Sequence, residues 1–379
     1  MDLVDLVDPL KLLKKNREGM VETIPPIDPF FLQLTVVLIL LGCAFITSAS
    51  WHESVRYYGH PWVFIIKHFI AVAFGVSLAG VVSVMHFKWW KRFAWHCVFV
   101  TMLALLLTIK FGVVSGGSRR WLALGFLNLQ SSEFAKIFSA LIVTKAIVER
   151  KGFFMAMLAS LLMSLIVLKQ PDLGTSILVM SGAVAAVFAS GFNLVLMILG
   201  VSGCLALGVW QVMNTPYQMD RIKYWLNPHA DPLGNGYNLI QSIKAIGMGG
   251  LWGAGLGASV QKLGPLPIAY ADFIFAIVCE EIGFIGAVVV LMIFLMWILR
   301  AFYLVMSTDD EFARIFGFSI VIVFAMQVLI NIGVATGLFP ITGMTLPFVS
   351  FGGSSFLSVS LMVGILMNIS RFSKSPHHQ

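Results

Sequence analysis

Apolar residues run along this chain in blocks of about twenty, the length that carries an α-helix across a hydrocarbon layer. Ten such blocks fall near residues 29–49, 62–85, 93–111, 132–149, 153–169, 173–191, 193–213, 272–304, 313–337 and 347–370. The two shortest breaks, at Gln170 to Asp172 and at Gly191 to Asn193, decide the parity of the count. One stretch interrupts the rhythm. Residues 214–271 hold Tyr217, Tyr224, Trp225, Tyr237, Leu239, Ile240, Ile243 and Trp252, too many aromatic and aliphatic side chains for a disordered linker. Leu239, Ile243 and Ile246 make one apolar helical face, which predicts a short helix lying on or dipping into a leaflet. Around it Gly247, Gly249, Gly250, Gly253, Gly255 and Gly257 allow tight turns and close approach to something bulky. The pattern predicts an all-α polytopic membrane protein of about ten transmembrane helices with one large extracytoplasmic loop containing short helices.

Composition agrees with the pattern. Of 379 residues, 59% are hydrophobic and 11% charged, whereas a soluble domain is about a quarter charged. Soluble enzyme, secreted disulfide module and disordered chain are excluded. The net charge of +7 comes from short basic clusters between apolar runs, without a basic helix or aromatic-basic motif, so it does not indicate nucleic acid. Lys11, Lys14, Lys15 and Arg17, then Lys88, Lys91 and Arg92, then Lys145, Arg150 and Lys151, and last Arg371 and Lys374 fall on one side of the membrane. That is the positive-inside pattern with both termini cytoplasmic; Lys110 and Lys169 at outer span ends snorkel to the interface. Residues 1–28 lack the signal-peptide pattern and read as a cytoplasmic tail, 29–371 as the membrane domain with its outer loop 214–271, and 372–379 as a second cytoplasmic tail. Cys43, Cys97, Cys204 and Cys279 stand singly in apolar runs, as small core residues do.

Ionisable groups inside hydrocarbon are costly, which makes the few present here candidates for function. Glu133 and Lys136 open one span three residues apart, on neighbouring positions of a helix face. Either they form a local ion pair, or Lys136 offers charge to an anionic ligand while Glu133 holds it. Gln170-Pro171-Asp172 precedes a span, where Asp172 suits a helix cap as well as a site facing the long loop. Asp272 stands where the glycine-rich loop passes into an apolar run; half desolvated, it would have a pKa raised toward that of a general base, or it caps the helix. Of Glu280 and Glu281, adjacent in the same span, at least one points into the bundle. Arg119 and Arg120 on the outer side run against positive-inside sorting and match either a phosphate or an acidic neighbour. Arg221, Lys223, Lys244 and Lys262 add to a positive outer surface suited to a lipid pyrophosphate.

These residues occur in a recognisable order. Gly117-Ser118-Arg119-Arg120-Trp121, Gln130-Ser131-Ser132-Glu133 with Lys136, Gln170 to Ser176, Trp225-Leu226-Asn227-Pro228 and Gln241-Ser242 come first. Gly255 to Leu263, Ala271 to Ala276 with Glu280-Glu281, Asn331-Ile332-Gly333-Val334, Gly337 to Pro340 and Pro347 to Ser355 follow. The ordered set resembles the SEDS family of shape, elongation, division and sporulation polymerases over roughly residues 30 to 371, its division branch more than its elongation branch. The resemblance implies a ten-span glycosyltransferase that polymerises the lipid-linked disaccharide of peptidoglycan, lipid II, on the outer face of the cytoplasmic (inner) membrane, at the division septum. It implies a class B penicillin-binding protein (transpeptidase) as partner, with other division proteins. Asp272 matches the family's loop aspartate, and Glu133 and Lys136 its polar pair. Ser131 stands where relatives commonly have proline, and Ile268, Tyr270 and Ala271 occupy the usual Glu, His and Thr positions, so no auxiliary catalytic role is assigned to residues 268–271.

The predicted substrate-binding set is Arg119, Arg120, Glu133, Lys136, Asp172 and Lys262, with Asp272 catalytic. No cofactor follows from the sequence, and a divalent cation at the pyrophosphate stays open because no carboxylate cluster is specific enough to name a metal site. A flippase for the same lipid would need the same cations but polar residues reachable from both faces; a non-catalytic division scaffold would leave the carboxylates unexplained. The concentration of candidates on the outer side favours the enzyme.

Overall fold

A computed structural model describes residues 26–115, 118–124, 127–266 and 269–371. The second predicted tail, all but the end of the first, and Gly116, Gly117, Pro267 and Ile268 lie outside them. Ten long helices occupy the ten predicted blocks: α1 (Pro29–Tyr58), α2 (Trp62–Val84), α3 (Lys88–Phe111), α4 (Ser132–Glu149), α5 (Phe153–Lys169), α6 (Leu173–Ala189), α7 (Leu194–Met213), α10 (Ile274–Met306), α11 (Glu311–Ala335) and α12 (Gly353–Ser370). Two shorter ones, α8 (Pro216–Leu226) and α9 (Tyr237–Gly249), lie in the long segment. Seven helices are by themselves long and apolar enough to cross a membrane. Of the other three, α5 and α6 are shorter apolar helices. α4 carries buried Ser132, Glu133, Lys136, Ser139 and Thr144 because neighbouring helices, rather than lipid, surround it.

Caps account for the sharp reversals. Asp28 accepts from Phe31 N (2.8 Å) ahead of Pro29, whose fixed φ suits a first helical turn. Asp172 accepts from Thr175 N (3.2 Å), Asn193 from Val195 N (2.9 Å) and Asp310 from Ala313 N (2.8 Å). Both of the shortest sequence breaks are therefore true helix boundaries. Within the bundle α12 packs along α2, and α4 lies among α3, α6 and α11. All four cysteines are free.

Three local features depart from the hydropathy reading. Residues between α3 and α4 form an antiparallel sheet, β1 (Val113–Ser115), β2 (Ser118–Leu124) and β3 (Leu127–Leu129), in the order β1-β2-β3. The last block does not become helical until Gly353; residues 337–352 are irregular yet largely buried, and irregular backbone at membrane depth is tolerated where protein surrounds it. In α9 the small residues Ser242, Ala245 and Gly249 are buried beside Leu239, Ile246 packs against the core, and apolar Ile243 is exposed. The small residues face inward because α9 packs backbone-close on α10: a Cβ on Gly249 would lie 2.0 Å from the Cys279 carbonyl oxygen. Ser242 Oγ donates to Ala335 O (2.7 Å) and Trp225 Nε1 to Gly337 O (2.9 Å), so the long segment folds over the end of α11.

The glycine-rich stretch after α9 meets α10 at a break in that helix. Gly283, at φ 70°, interrupts the ladder. The freed groups are satisfied across the gap: Ala254 N donates to Glu280 O and Gly255 N to Glu281 O (both 2.9 Å), while Phe284 N and Ile285 N donate to Gly250 O and Leu251 O (2.9 and 3.2 Å). A Cβ on Gly253 would lie 2.3 Å from Glu281 O. For Gly249 and Gly253 the bulky neighbour is thus the protein's own helix.

Candidate active site

Asp272 sits one residue before Phe273, the N-cap of α10. Its backbone is tightly held, because three consecutive carbonyls accept hydrogen bonds from different parts of the chain. Tyr270 O accepts from Phe351 N (2.9 Å), Ala271 O from Ser350 Oγ (2.6 Å) and Asp272 O from Asn331 Nδ2 (3.1 Å). Its side chain does not serve as the cap. Among the described residues the half-buried Asp272 carboxyl makes no hydrogen bond and no ion pair within 4 Å. Burial pushes its pKa up to about 6, against the pull of Arg120 and Arg221 and with a smaller push from Asp172. An open carboxylate whose charge two guanidinium groups stabilise is suited to accept a proton beside a group that gains negative charge.

The sheet and the loop before α6 supply the near cations. Arg119 and Arg120 alternate across β2, so one is exposed and the other buried. Arg120 Nε donates to Gln170 O (3.3 Å) and Nη2 to Pro171 O, which anchors its guanidinium against the turn that Asp172 caps. Asp172 itself is buried, with its oxygens taken by Thr175 N, Thr175 Oγ1 (2.9 Å) and Gln130 Nε2 (3.4 Å). Arg221, from α8, donates through Nη1 to Ile341 O (2.9 Å). Gly343, at φ 73°, completes the wall: a Cβ there would lie 3.4 Å from Asp272 Oδ2 and 3.5 Å from Arg120 Nη1. Three separate sequence motifs, at Arg120, Gln170 to Asp172, and Asp272, therefore meet in one place.

Three predicted residues are engaged elsewhere. Lys136 is fully buried and donates to Glu133 Oε2 (2.5 Å) and Gln327 Oε1 (2.6 Å), while Glu133 Oε2 also accepts from Ser358 Oγ (2.8 Å). The pair joins α4 to α11 and α12, and none of its bonds among the described residues reaches Asp272. Lys262 does not contribute to an open positive surface. It is buried, with Nζ bonded to Glu281 Oε1 and Ser48 Oγ (both 2.7 Å). Glu280 accepts from Ser259 Oγ (2.5 Å), Val260 N (2.7 Å) and Gln261 N (3.3 Å). Both acids face inward, where their partners clamp the glycine-rich loop to α10 and α1.

Neutral polar residues also shape the site. Gln327 and Asn331 also lie inside an apolar block, four residues apart, and their amides bind the irregular segment at Thr345 O (3.0 Å) and Met344 O (2.6 Å). Their polarity at membrane depth was the available signal. Ser350 is marked in sequence only as part of the run Pro347 to Ser355, and Gly343 has no such mark, since its contacts arise only from folding.

The fold and the site define a multi-pass helical membrane protein with an open acidic group, flanked by arginines, where a long inter-helix segment re-enters the bundle. Residues 29–375 match the model of the cell cycle protein family that comprises FtsW, RodA and SpoVE, and the chain belongs to that family. It is 34% identical to the probable peptidoglycan glycosyltransferase FtsW of Aliivibrio salmonicida, over 90% of this chain and 88% of that protein. It is 35% identical to the stage V sporulation protein E of Bacillus subtilis, over 92% and 98%. Its fold is similar to a chain of a solved peptidoglycan synthase complex that coordinates polymerization and crosslinking, with a TM-score of 0.75 and 27% identity over 92% of this chain and 99% of that one.

Proposed function

We propose that this protein is a peptidoglycan glycosyltransferase that polymerises lipid II into glycan strands, with Asp272 as general base. The acceptor sugar hydroxyl attacks the anomeric carbon of the donor sugar, and its proton passes to the Asp272 carboxylate. A C–O bond forms, the bond from that carbon to the phosphate oxygen breaks, and the polyprenyl pyrophosphate leaves. Arg120 and Arg221 stabilise its charge, and Arg119, exposed on the same strand as Arg120, meets the incoming pyrophosphate. Glu133 and Lys136 support the site from below, Asp172 keeps the turn that carries Arg120, and Lys262 holds the glycine-rich loop. The observation that carries this reading is the Asp272 carboxyl, left without a hydrogen bond among the described residues while Arg120 and Arg221 act on its charge.

The site faces the outside of the inner membrane and both termini face the cytoplasm, in agreement with the distribution of Lys and Arg. A class B penicillin-binding protein is the partner and the division septum the location. This follows from likeness to FtsW relatives and to a chain that works within a synthase complex. Purified protein, with and without such a partner, is to be supplied with lipid II. Glycan chains from the parent and none from Asp272→Asn support the assignment; equal chains from both reject Asp272 as the base. Movement of lipid II across a vesicle membrane without glycan formation would replace the reaction with transport.

A further inference from the structure

The irregular segment 341–351 meets Arg221, Arg120 and the chain around Asp272. Arg221 holds its Ile341 carbonyl, Gly343 abuts Asp272 and Arg120, and Phe351 and Ser350 hold Tyr270 and Ala271. Its middle is held by two amides one helical turn apart on α11. Asn331 Nδ2 donates to Met344 O (2.6 Å) and also to Asp272 O (3.1 Å), and Gln327 Nε2 donates to Thr345 O (3.0 Å). Gln327 Oε1 in turn accepts from Lys136 Nζ (2.6 Å), whose other bond goes to Glu133 (2.5 Å). A continuous bonded path thus runs from the fully buried ion pair, through Gln327, Thr345, Met344 and Asn331, to the backbone of Asp272.

We infer that Gln327 and Asn331 are positioning residues for the proposed glycosyl transfer, and that through them the Glu133–Lys136 pair sets the place of the Asp272 carboxylate. This rests on the glycosyltransferase reading above. The physical basis is the spacing. Residues four apart on a helix share a face, so two amides there grip two consecutive carbonyls of the irregular segment and fix its position. Each amide also reaches a second partner: Gln327 Oε1 accepts from Lys136 Nζ, and Asn331 Nδ2 donates to Asp272 O as well as to Met344 O. A general base displaced by about 1 Å loses on the order of a hundredfold in rate, so a positioning array of this kind acts on turnover rather than on substrate affinity. It also explains how a charged pair that does not touch Asp272 among the described residues contributes to its chemistry.

The test uses full-length protein in detergent or liposomes, with Gln327→Glu and Asn331→Asp. Gln327→Glu keeps an acceptor for Lys136 but removes the donor to Thr345, and Asn331→Asp keeps its shape but removes the donor to Met344 and Asp272. Ser319→Ala, on α11 with its hydroxyl bonded to its own helix at Ile315 O (2.9 Å), is the control. Lipid II polymerisation is measured over pH 5 to 8 beside thermal unfolding. Each amide variant is expected to lower kcat roughly ten- to hundredfold with KM within about twofold, and to move the acid limb of the pH profile, while Ser319→Ala matches the parent. Variants that unfold earlier but keep parental kcat and pH profile per folded molecule would overturn the inference and leave the amides as packing residues. Parental kinetics in Asn331→Asp, with Asp272→Asn inactive in the same series, would overturn it while sparing the base assignment. A parent without glycan synthesis would remove both.

Discussion

Eight residues separate Asp272 from Glu280, yet their carboxylates have opposite surroundings. Glu280 accepts three hydrogen bonds and Glu281 is paired with Lys262 and Ser48, whereas the Asp272 carboxyl has no bonded partner among the described residues. A buried carboxylate held by several donors serves packing, because those donors already compensate its charge. One left open, half-buried and beside fixed cations, keeps its capacity for a substrate proton. The same side-chain chemistry thus divides between holding the glycine-rich loop and acting at its end.

Removing each carboxylate should separate these roles. For Asp272→Asn, polymerisation is expected to fall about 10²–10⁴-fold, the contribution of a general base, while folding is kept. Its sign on stability is also informative. A carboxyl whose folded pKa is raised to about 6 binds its proton more tightly in the folded state, so the ionised group costs stability above that pH and the cost disappears below the unfolded value. Asp272→Asn should accordingly raise Tm at pH 7, and a lowered Tm would contradict the open-carboxylate picture.

The opposite outcome is expected at the clamp. Lys262→Met leaves Glu281 buried without its cation and should cost about 3–5 kcal/mol, seen as early unfolding in detergent. Combining it with Glu281→Leu should restore most of that loss, because an apolar pair of similar volume replaces a buried ion pair with little penalty. Activity per folded molecule that drops far more than stability would place Lys262 in the site instead.

A smaller effect is a shift in pH dependence. Parental polymerisation should decline about tenfold per unit below pH 6 as Asp272 takes up its proton. Arg120 holds that pKa down, so in Arg120→Gln the acid limb should move to higher pH; an unmoved limb would detach Arg120 from the carboxylate. The smallest change distinguishes the neighbouring arginines. Arg119→Lys, on the exposed side of β2, should stay within about twofold of the parent, whereas Arg120→Lys loses the two-carbonyl anchorage that a guanidinium fork provides and should fall several-fold.

Apolar block length by itself located the ten helical blocks and set the chain's class, and the breaks at Gln170 to Asp172 and Gly191 to Asn193 became helix boundaries with the caps of Asp172 and Asn193. Each of these is local, since apolar length and capping residues act within a few turns of the backbone. Asp272 was legible for the same reason, as a lone acid at a loop-to-helix boundary. What only the tertiary structure decided is which polar residues are saturated. Lys262 reads as a surface cation until Glu281 and Ser48 arrive from elsewhere in the chain, Arg119 and Arg120 read alike until β2 turns one inward, and Asp272 is open because no donor folds onto it among the described residues. The irregular turn after α11 follows the same rule: its backbone groups survive burial because Asn331 and Gln327 on the neighbouring α11, and Ser350 within the turn, supply the hydrogen bonds that water cannot.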